Sequence, residues 1–358
     1  MPTTINGPVH PSNKDCIDWS ERGLIAFATH AVITVIDPWT LKRVQVLELH
    51  SSAICNLQWS PSRRFIDEGE ESRLASSDIG GEIVVSDTLS AHSIARLKIP
   101  GSSVHSMCWF PWKDVSRDFI LALHSQGQLV LWNTDSGTKV WSHTYSSPFS
   151  SFLLDPFDSS RLCLMGGDAS LTFISDISLS APPSSSSARV VSLSSTPSTL
   201  QSVSFHRAYR NIVFAVSENT LHMIDCEFGV ILSRRSLNSP SLCILPSTTR
   251  DSLFIVHTNG SLSLRIGCIP NGDMGDFSSE ELCCVDGGRQ GGAQKRPVAA
   301  VSCPSTNAAL AVLHANGRVS IWQLECSSMY GFPYRSYTID DVLKFEKDLQ
   351  TISLGGMK

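Results

Sequence analysis

Charge is what this sequence has least of. Only 17% of its residues are charged, and Lys plus Arg (28) are outnumbered by Asp plus Glu (33), for a net charge of −5. A chain whose main task was to neutralise phosphates would be basic, so nucleic acid is not an expected partner. Long hydrophobic runs are also missing. No stretch approaches the ~18–20 apolar residues of a membrane span, and no direct membrane insertion is expected. Residues 1–10, MPTTINGPVH, have neither a basic n-region nor an apolar h-region, so no secretory signal is expected. The eleven cysteines contain no C-x-x-C pair and no tight framework spacing. Several, such as Cys55, Cys108, Cys163 and Cys243, sit inside apolar segments. That placement suits reduced, buried thiols in the cytosol.

What the sequence does have is repetition. Residues 125–141 read SQGQLVLWNTDSGTKVW: a Gly turn, an alternating strand, a polar turn and a second apolar segment. The same order appears in DIGGEIVVSDTLSAHSIARL (78–97) and HAVITVIDPWTLKRVQVL (30–47). It recurs in DASLTFISDIS (168–178), ENTLHMIDCEFGVIL (218–232), HTNGSLSLRIGC (257–268) and HANGRVSIWQLE (314–325). Alternation marks half-buried strands, and the Gly-bearing turns mark hairpins. An apolar strand precedes most copies, as in RLASSD (73–78) and FILALHS (119–125). Further upstream lies another strand that ends in an aromatic or small residue.

Four short strands returning about every 30–50 residues mark propeller blades. Seven units follow: 16–48, 49–99, 102–146, 147–178, 199–236, 240–268 and 297–325. The expected architecture is therefore all-β, a seven-bladed WD-repeat β-propeller over 16–325. Residues 1–15 form an N-terminal segment and 326–358 a C-terminal tail. Residues 1–10 are a candidate strand for the last blade, and 334–354 for the first, so the mode of ring closure stays open. A Ser/Pro-rich loop is expected at 180–198, a Gly-rich loop at 270–297 and an acidic one at 67–72. Residues 340–350, DDVLKFEKDLQ, have the spacing of a short amphipathic helix.

The residues that could carry chemistry read better as structure. Trp132 with Asn133, Trp322 with Gln323, and Ser86 with Asp87 occupy the place of a Trp-Asp dipeptide. There the indole packs between blades and the polar residue caps a turn. Ser86 in place of Trp should loosen its blade. His50, Ser76 and Asp78 could be taken for an acyl-transfer triad. However, Ser76 lies mid-strand without a strained elbow or an oxyanion donor, so a buried hydrogen-bond network is expected. Cys268, Cys283, Cys284 and Cys303 lack metal-ligand spacing. GGRQGGAQK (287–295) lacks the Lys-Ser/Thr ending of a phosphate loop, and its single Arg is too little for an RNA-binding segment. The pairs Asp340–Asp341 and Glu70–Glu71 read as solvated surface. No catalytic residue, metal or cofactor is expected.

Several stretches go beyond a generic repeat: IDWSERGLIAFATHAVITVID (17–37), QVLELH (45–50), RLASSDIGGEIVV (73–85), SRDFILALH (116–124), LVLWNTDSGTKVW (129–141), DPFD (155–158) and FISDIS (173–178). Together they resemble the N-terminal propeller of the WD repeat-containing protein 11 family. NGSLSLRI (259–266) and NGRVSIWQLE (316–325) follow in the same order. The resemblance implies a non-enzymatic protein-interaction scaffold. It also implies a cytoplasmic place, peripheral to the trans-Golgi network, with vesicle-tethering subunits as partners in endosome-to-Golgi traffic. The alternative it carries is an adaptor in ciliogenesis and Hedgehog signalling, or in transcription-linked regulation at the cilium base or nucleus. Family members have a second propeller and a long helical region, so a 358-residue chain is expected to be a fragment, a short isoform or a truncated gene model.

Overall fold

The computed structural model describes residues 8–40, 42–61, 72–111, 118–184, 188–194, 199–248, 251–268, 278–284, 296–305, 309–326 and 334–336. Seven four-stranded antiparallel sheets are built in chain order, each from consecutive strands. The first blade is Ile17–Trp19, Ile25–Thr29, Val32–Asp37 and Lys42–Leu47. The second is Ile54–Trp59, Arg73–Asp78, Glu82–Asp87 and His92–Lys98, and the third Val104–Trp109, Phe119–His124, Gln128–Asn133 and Lys139–Thr144. The fourth is Phe149–Leu154, Leu162–Gly166, Ser170–Ile174 and Arg189–Ser192, and the fifth Leu200–Phe205, Ile212–Ser217, Thr220–Asp225 and Val230–Ser236. The sixth is Ser241–Pro246, Ser252–His257, Ser261–Ile266 and Ser278–Cys284. The seventh is Pro297–Ser302, Ala309–His314, Val319–Cys326 and Tyr334–Ser336. First strands of neighbouring blades lie side by side, so they form the inner wall of the ring. This is a seven-bladed propeller.

Burial explains the composition of each strand. Second and third strands are covered on both faces and run almost wholly apolar, as in Phe119–His124 and Ile212–Ser217. Outer strands keep one wet face and alternate, as in Val230–Ser236. Because one sheet cannot cover both its faces, the core lies between blades. Ile83, Val85 and Leu97 of the second blade pack with Met107, Ile120, Val130 and Trp132 of the third. Each such side chain contributes roughly 1.5–3 kcal/mol by leaving water. One turn is fixed by sterics: Gly81 has φ +79°, and a Cβ there would stand 2.0 Å from the Ser102 carbonyl oxygen of the next blade link.

Three expectations need correcting. The outer strand of the fourth blade, Arg189–Ser192, comes from inside the Ser/Pro-rich stretch expected to be loop. Val191 is 5% exposed and joins the core shared with the fifth blade, which gives the strand its hold. Likewise Ser278–Cys284 comes from the 270–297 stretch, and Tyr334–Ser336 from the expected tail. One place proposed for a ring-closing strand also differs: Tyr334–Ser336 completes the seventh blade, not the first. Of the other, residues 1–10, residues 1–7 lie outside the described residues, and Val9 N–H bonds the Ala315 carbonyl of the seventh blade at 2.9 Å. The seventh and first blades instead meet face to face, Ile17, Trp19, Ile25 and Phe27 against Ala299, Cys303, Ala309, Ala311 and Leu313. The proposed helix at 340–350, the acidic pairs Asp340–Asp341 and Glu70–Glu71, and the 287–295 segment lie outside the described residues. No helix of the described residues is long and apolar enough to cross a membrane.

Candidate functional site

The structure brings His50, Ser76 and Asp78 together. His50 is on the link into the second blade, and Ser76 and Asp78 are on its second strand. Nδ1 of His50 is 3.0 Å from an Asp78 carboxylate oxygen, and Nε2 is 2.8 Å from the Ser76 hydroxyl. The acidic partner fixes the tautomer: Nδ1–H donates to Asp78, and Nε2 accepts from Ser76. Burial holds the His50 pKa below its ordinary value, against the pull of Asp78. The second Asp78 oxygen accepts from the Glu82 backbone N–H at 3.1 Å, and so closes the turn at Gly81.

These distances are those of a catalytic triad, but access is missing. Ser76 is 1% exposed, and the side chains of His50 and Asp78 are 0% and 3% exposed. A nucleophile must touch its substrate, and this hydroxyl meets only protein. His50, Asp78 and Glu82 also lie close enough to be considered metal ligands. Their ligand atoms are already committed: both His50 nitrogens and both Asp78 oxygens as above, and Glu82 to Arg96 at 2.8 Å. The donor set fits a blade lock and not a cation.

Other blades carry relatives of this lock that the sequence reading missed. His257, the last residue of its strand, meets Ser263 at 2.7 Å, and His314 meets Ser320 at 2.7 Å. The signal was a histidine with serine six residues on, HTNGSLS and HANGRVS. Ser320 also accepts the Trp322 indole N–H at 2.9 Å, which places Trp322, 1% exposed, in the core with the sixth blade. In the fifth blade the partners are exchanged, with Ser217 ending the strand and His222 of the next strand reaching its hydroxyl at 2.8 Å. The third blade has Val130 where the serine would be. There both ring nitrogens of His124 and the indole nitrogen of Trp132 are buried without a protein partner. Burial accordingly lowers the His124 pKa to about 4. Trp132 still fills the gap between the second and third blades, and Asn133 caps its turn by accepting from Asp135 and Ser136 N–H. Asp87 does the same for Leu89 and Ser90. Ser86, standing where tryptophan would, is fully buried and donates to the Leu74 carbonyl at 3.2 Å.

A second series of polar groups ties blade to blade. Asp18 accepts the Trp59 backbone N–H at 2.7 Å, and the Trp59 indole donates back to the Asp18 carbonyl at 3.2 Å. Gln58 and Trp109 repeat this one blade on, at 3.0 and 3.2 Å. Arg161 of the fourth blade donates to Asn211 of the fifth at 2.6 Å, and His206 of the fifth lies 3.3 Å from Asp251 of the sixth. The thiols belong to the same interior. Eight described cysteines are reduced thiols and none is exposed. Burial pushes Cys108, Cys163 and Cys243 far above the ordinary thiol range. Cys283 and Cys284 belong to a strand whose side chains are not among those described, so the four-cysteine grouping cannot be placed. What remains outward is apolar turn tips such as Trp39, Leu89 and Phe228, 56%, 64% and 71% exposed.

Architecture and interior define the class: a WD-type propeller whose polar motifs hold its blades. A chain of the solved Mitotic Checkpoint Complex shares the fold, with a TM-score of 0.65 at 12% identity over 89% of each chain. Residues 7–175 match the family model of the WDR11 first beta-propeller. WD repeat-containing protein 11 is 29% identical to this chain in Mus musculus and 30% identical in Homo sapiens and Danio rerio, in each case over 90% of the chain. The resemblance to the WD repeat-containing protein 11 family, at its first propeller, is thus shown. The chain spans about 30% of the length of these relatives.

Proposed function

We propose that this propeller is a non-enzymatic binding module, the first propeller of a component that captures endosome-derived vesicles at the trans-Golgi network. Propellers serve as platforms that present loops and rims to other proteins. The observation that carries the non-enzymatic part is the commitment of the reactive-looking side chains to holding the ring. Ser76, His50 and Asp78 are sealed together, and the described thiols sit inside the blades. The traffic role rests on the likeness to WD repeat-containing protein 11. On this reading the protein is cytoplasmic, peripheral to trans-Golgi membranes, and its partners are vesicle-tethering subunits.

Proximity labelling in cells, with the chain fused to a labelling enzyme and a trans-Golgi marker alongside, tests the reading. Enrichment of vesicle-tethering subunits is expected. A folded, expressed fusion that instead labels cilium-base or nuclear proteins would overturn the traffic role and leave the adaptor reading.

A further inference from the structure

We propose that residues 8–16 form a strap that closes the propeller ring, with Asn13 as its pin. The seam between the seventh and first blades is the one place where neighbouring blades are not consecutive in the chain, so no short link holds them together. Each of these blades is complete in itself, and neither lends a strand to the other. The first strand of the first blade has only three residues, Ile17–Trp19. The indole clasp of the next two seams also fails here: Trp19 Nε1 is buried without a partner.

The strap supplies what the seam lacks. Val9 N–H donates to the Ala315 carbonyl of the seventh blade at 2.9 Å, and its side chain packs on the seam's apolar cluster. Asn13 is fully buried and uses both ends of its amide. Its nitrogen donates to the His30 carbonyl of the first blade at 2.9 Å and to the Ile54 carbonyl of the second at 2.7 Å. Its oxygen accepts His30 N–H at 2.7 Å and His10 N–H at 2.9 Å. One short segment thereby joins three blades. A buried amide with four bonds is a demanding site: losing it takes the acceptor from the His30 and His10 N–H groups and leaves the Ile54 carbonyl only the Cys16 thiol, while the His30 carbonyl keeps the Ile54 N–H. Release of the strap would open this seam and uncover the rim over these blades while leaving the rest of the ring standing.

Native-state hydrogen exchange on the full chain, read by mass spectrometry, tests this. Asn13→Ala should raise exchange at least tenfold in Ile17–Trp19, Ile25–Thr29 and Pro297–Ser302. Phe119–His124 and Gln128–Asn133, the middle strands of the third blade, which the strap does not touch, should keep wild-type rates. Val9→Pro, which removes the bond to Ala315 and trims the side chain packed on the seam cluster, should give the same pattern at least fivefold, the effect of one hydrogen bond, and serves if Asn13→Ala does not fold. A uniform rise in all blades, or an unchanged seam in Val9→Pro, would overturn the proposal.

Discussion

Asp18 offers a test of the blade clasps in which the molecule supplies its own control. The carboxylate, partly buried at the seam between the first and second blades, has its pKa raised from 3.8 to about 6 by burial, against the backbone N–H groups of Trp59 and Trp19 and the charge of Arg207. An acid whose pKa is raised on folding holds, between pH 4 and 6, a proton that the unfolded chain has lost. Stability therefore falls as pH rises through that window, and the penalty is complete above it. A shift of about two units corresponds to about 3 kcal/mol, a ceiling because solvent still reaches the residue. Gln58 makes the same clasp to Trp109 without a charge. Asp18→Asn keeps an oxygen for Trp59 but turns its NH2 group toward the Trp19 N–H, a loss of about 1 kcal/mol, so it should raise the urea midpoint at pH 7.5 by an amount worth up to about 2 kcal/mol, falling to about zero near pH 4.5. A variant that is less stable at pH 7.5, or whose difference ignores pH, would refute the reasoning.

Other residues give further tests. His124 must stay neutral in its unpartnered pocket. Its lowered pKa contributes stability that is lost as pH falls from about 6.5 toward 4, and His124→Phe should flatten that stretch of the stability profile, measured by urea unfolding against pH. Ser320→Ala strands the His314 and Trp322 nitrogens together and should cost about 2–4 kcal/mol in denaturant unfolding. Gly81→Ala drives a Cβ into the Ser102 carbonyl and should severely lower the melting temperature, whereas Gly137→Ala, with φ +67° and open space, should cost only about 1 kcal/mol. The buried Cys163 and the half-buried Cys108 and Cys243, their thiol pKa values all pushed up by burial, should resist alkylation at pH 8 until the protein is unfolded, as followed by mass spectrometry.

Much of the fold was legible because blades repeat. Alternating strands such as Gln128–Asn133, set off by Gly turns, report their period directly. Outer strands are less readable, since one face is wet and the other rests on a neighbouring blade. Arg189–Ser192 carries only two valines inside a Ser/Pro-rich run. The His50, Ser76 and Asp78 set could be picked out from residue types, and the geometry shows what they touch. The strap was not legible at all: nothing around Asn13 marks it, because three of its four bonds reach residues distant in sequence, two to His30 and one to Ile54. Long-range pairing of that kind leaves no local pattern. The Asp18 and Gln58 clasps lie between these cases. The pairs Asp18–Trp19 and Gln58–Trp59 are visible in sequence, but only the ring shows that each partner indole comes from the following blade.

On the function proposed above, His50, Ser76 and Asp78 hold a blade and act on no substrate. The direct measurement treats the native chain and its Ser76→Ala variant with a serine-directed fluorophosphonate probe and follows thermal unfolding of both. No labelling at Ser76 is expected, and Ser76→Ala should melt at a lower temperature, as the His50 nitrogen loses its buried partner. Labelling of native Ser76, with the variant as stable as the parent, would contradict it.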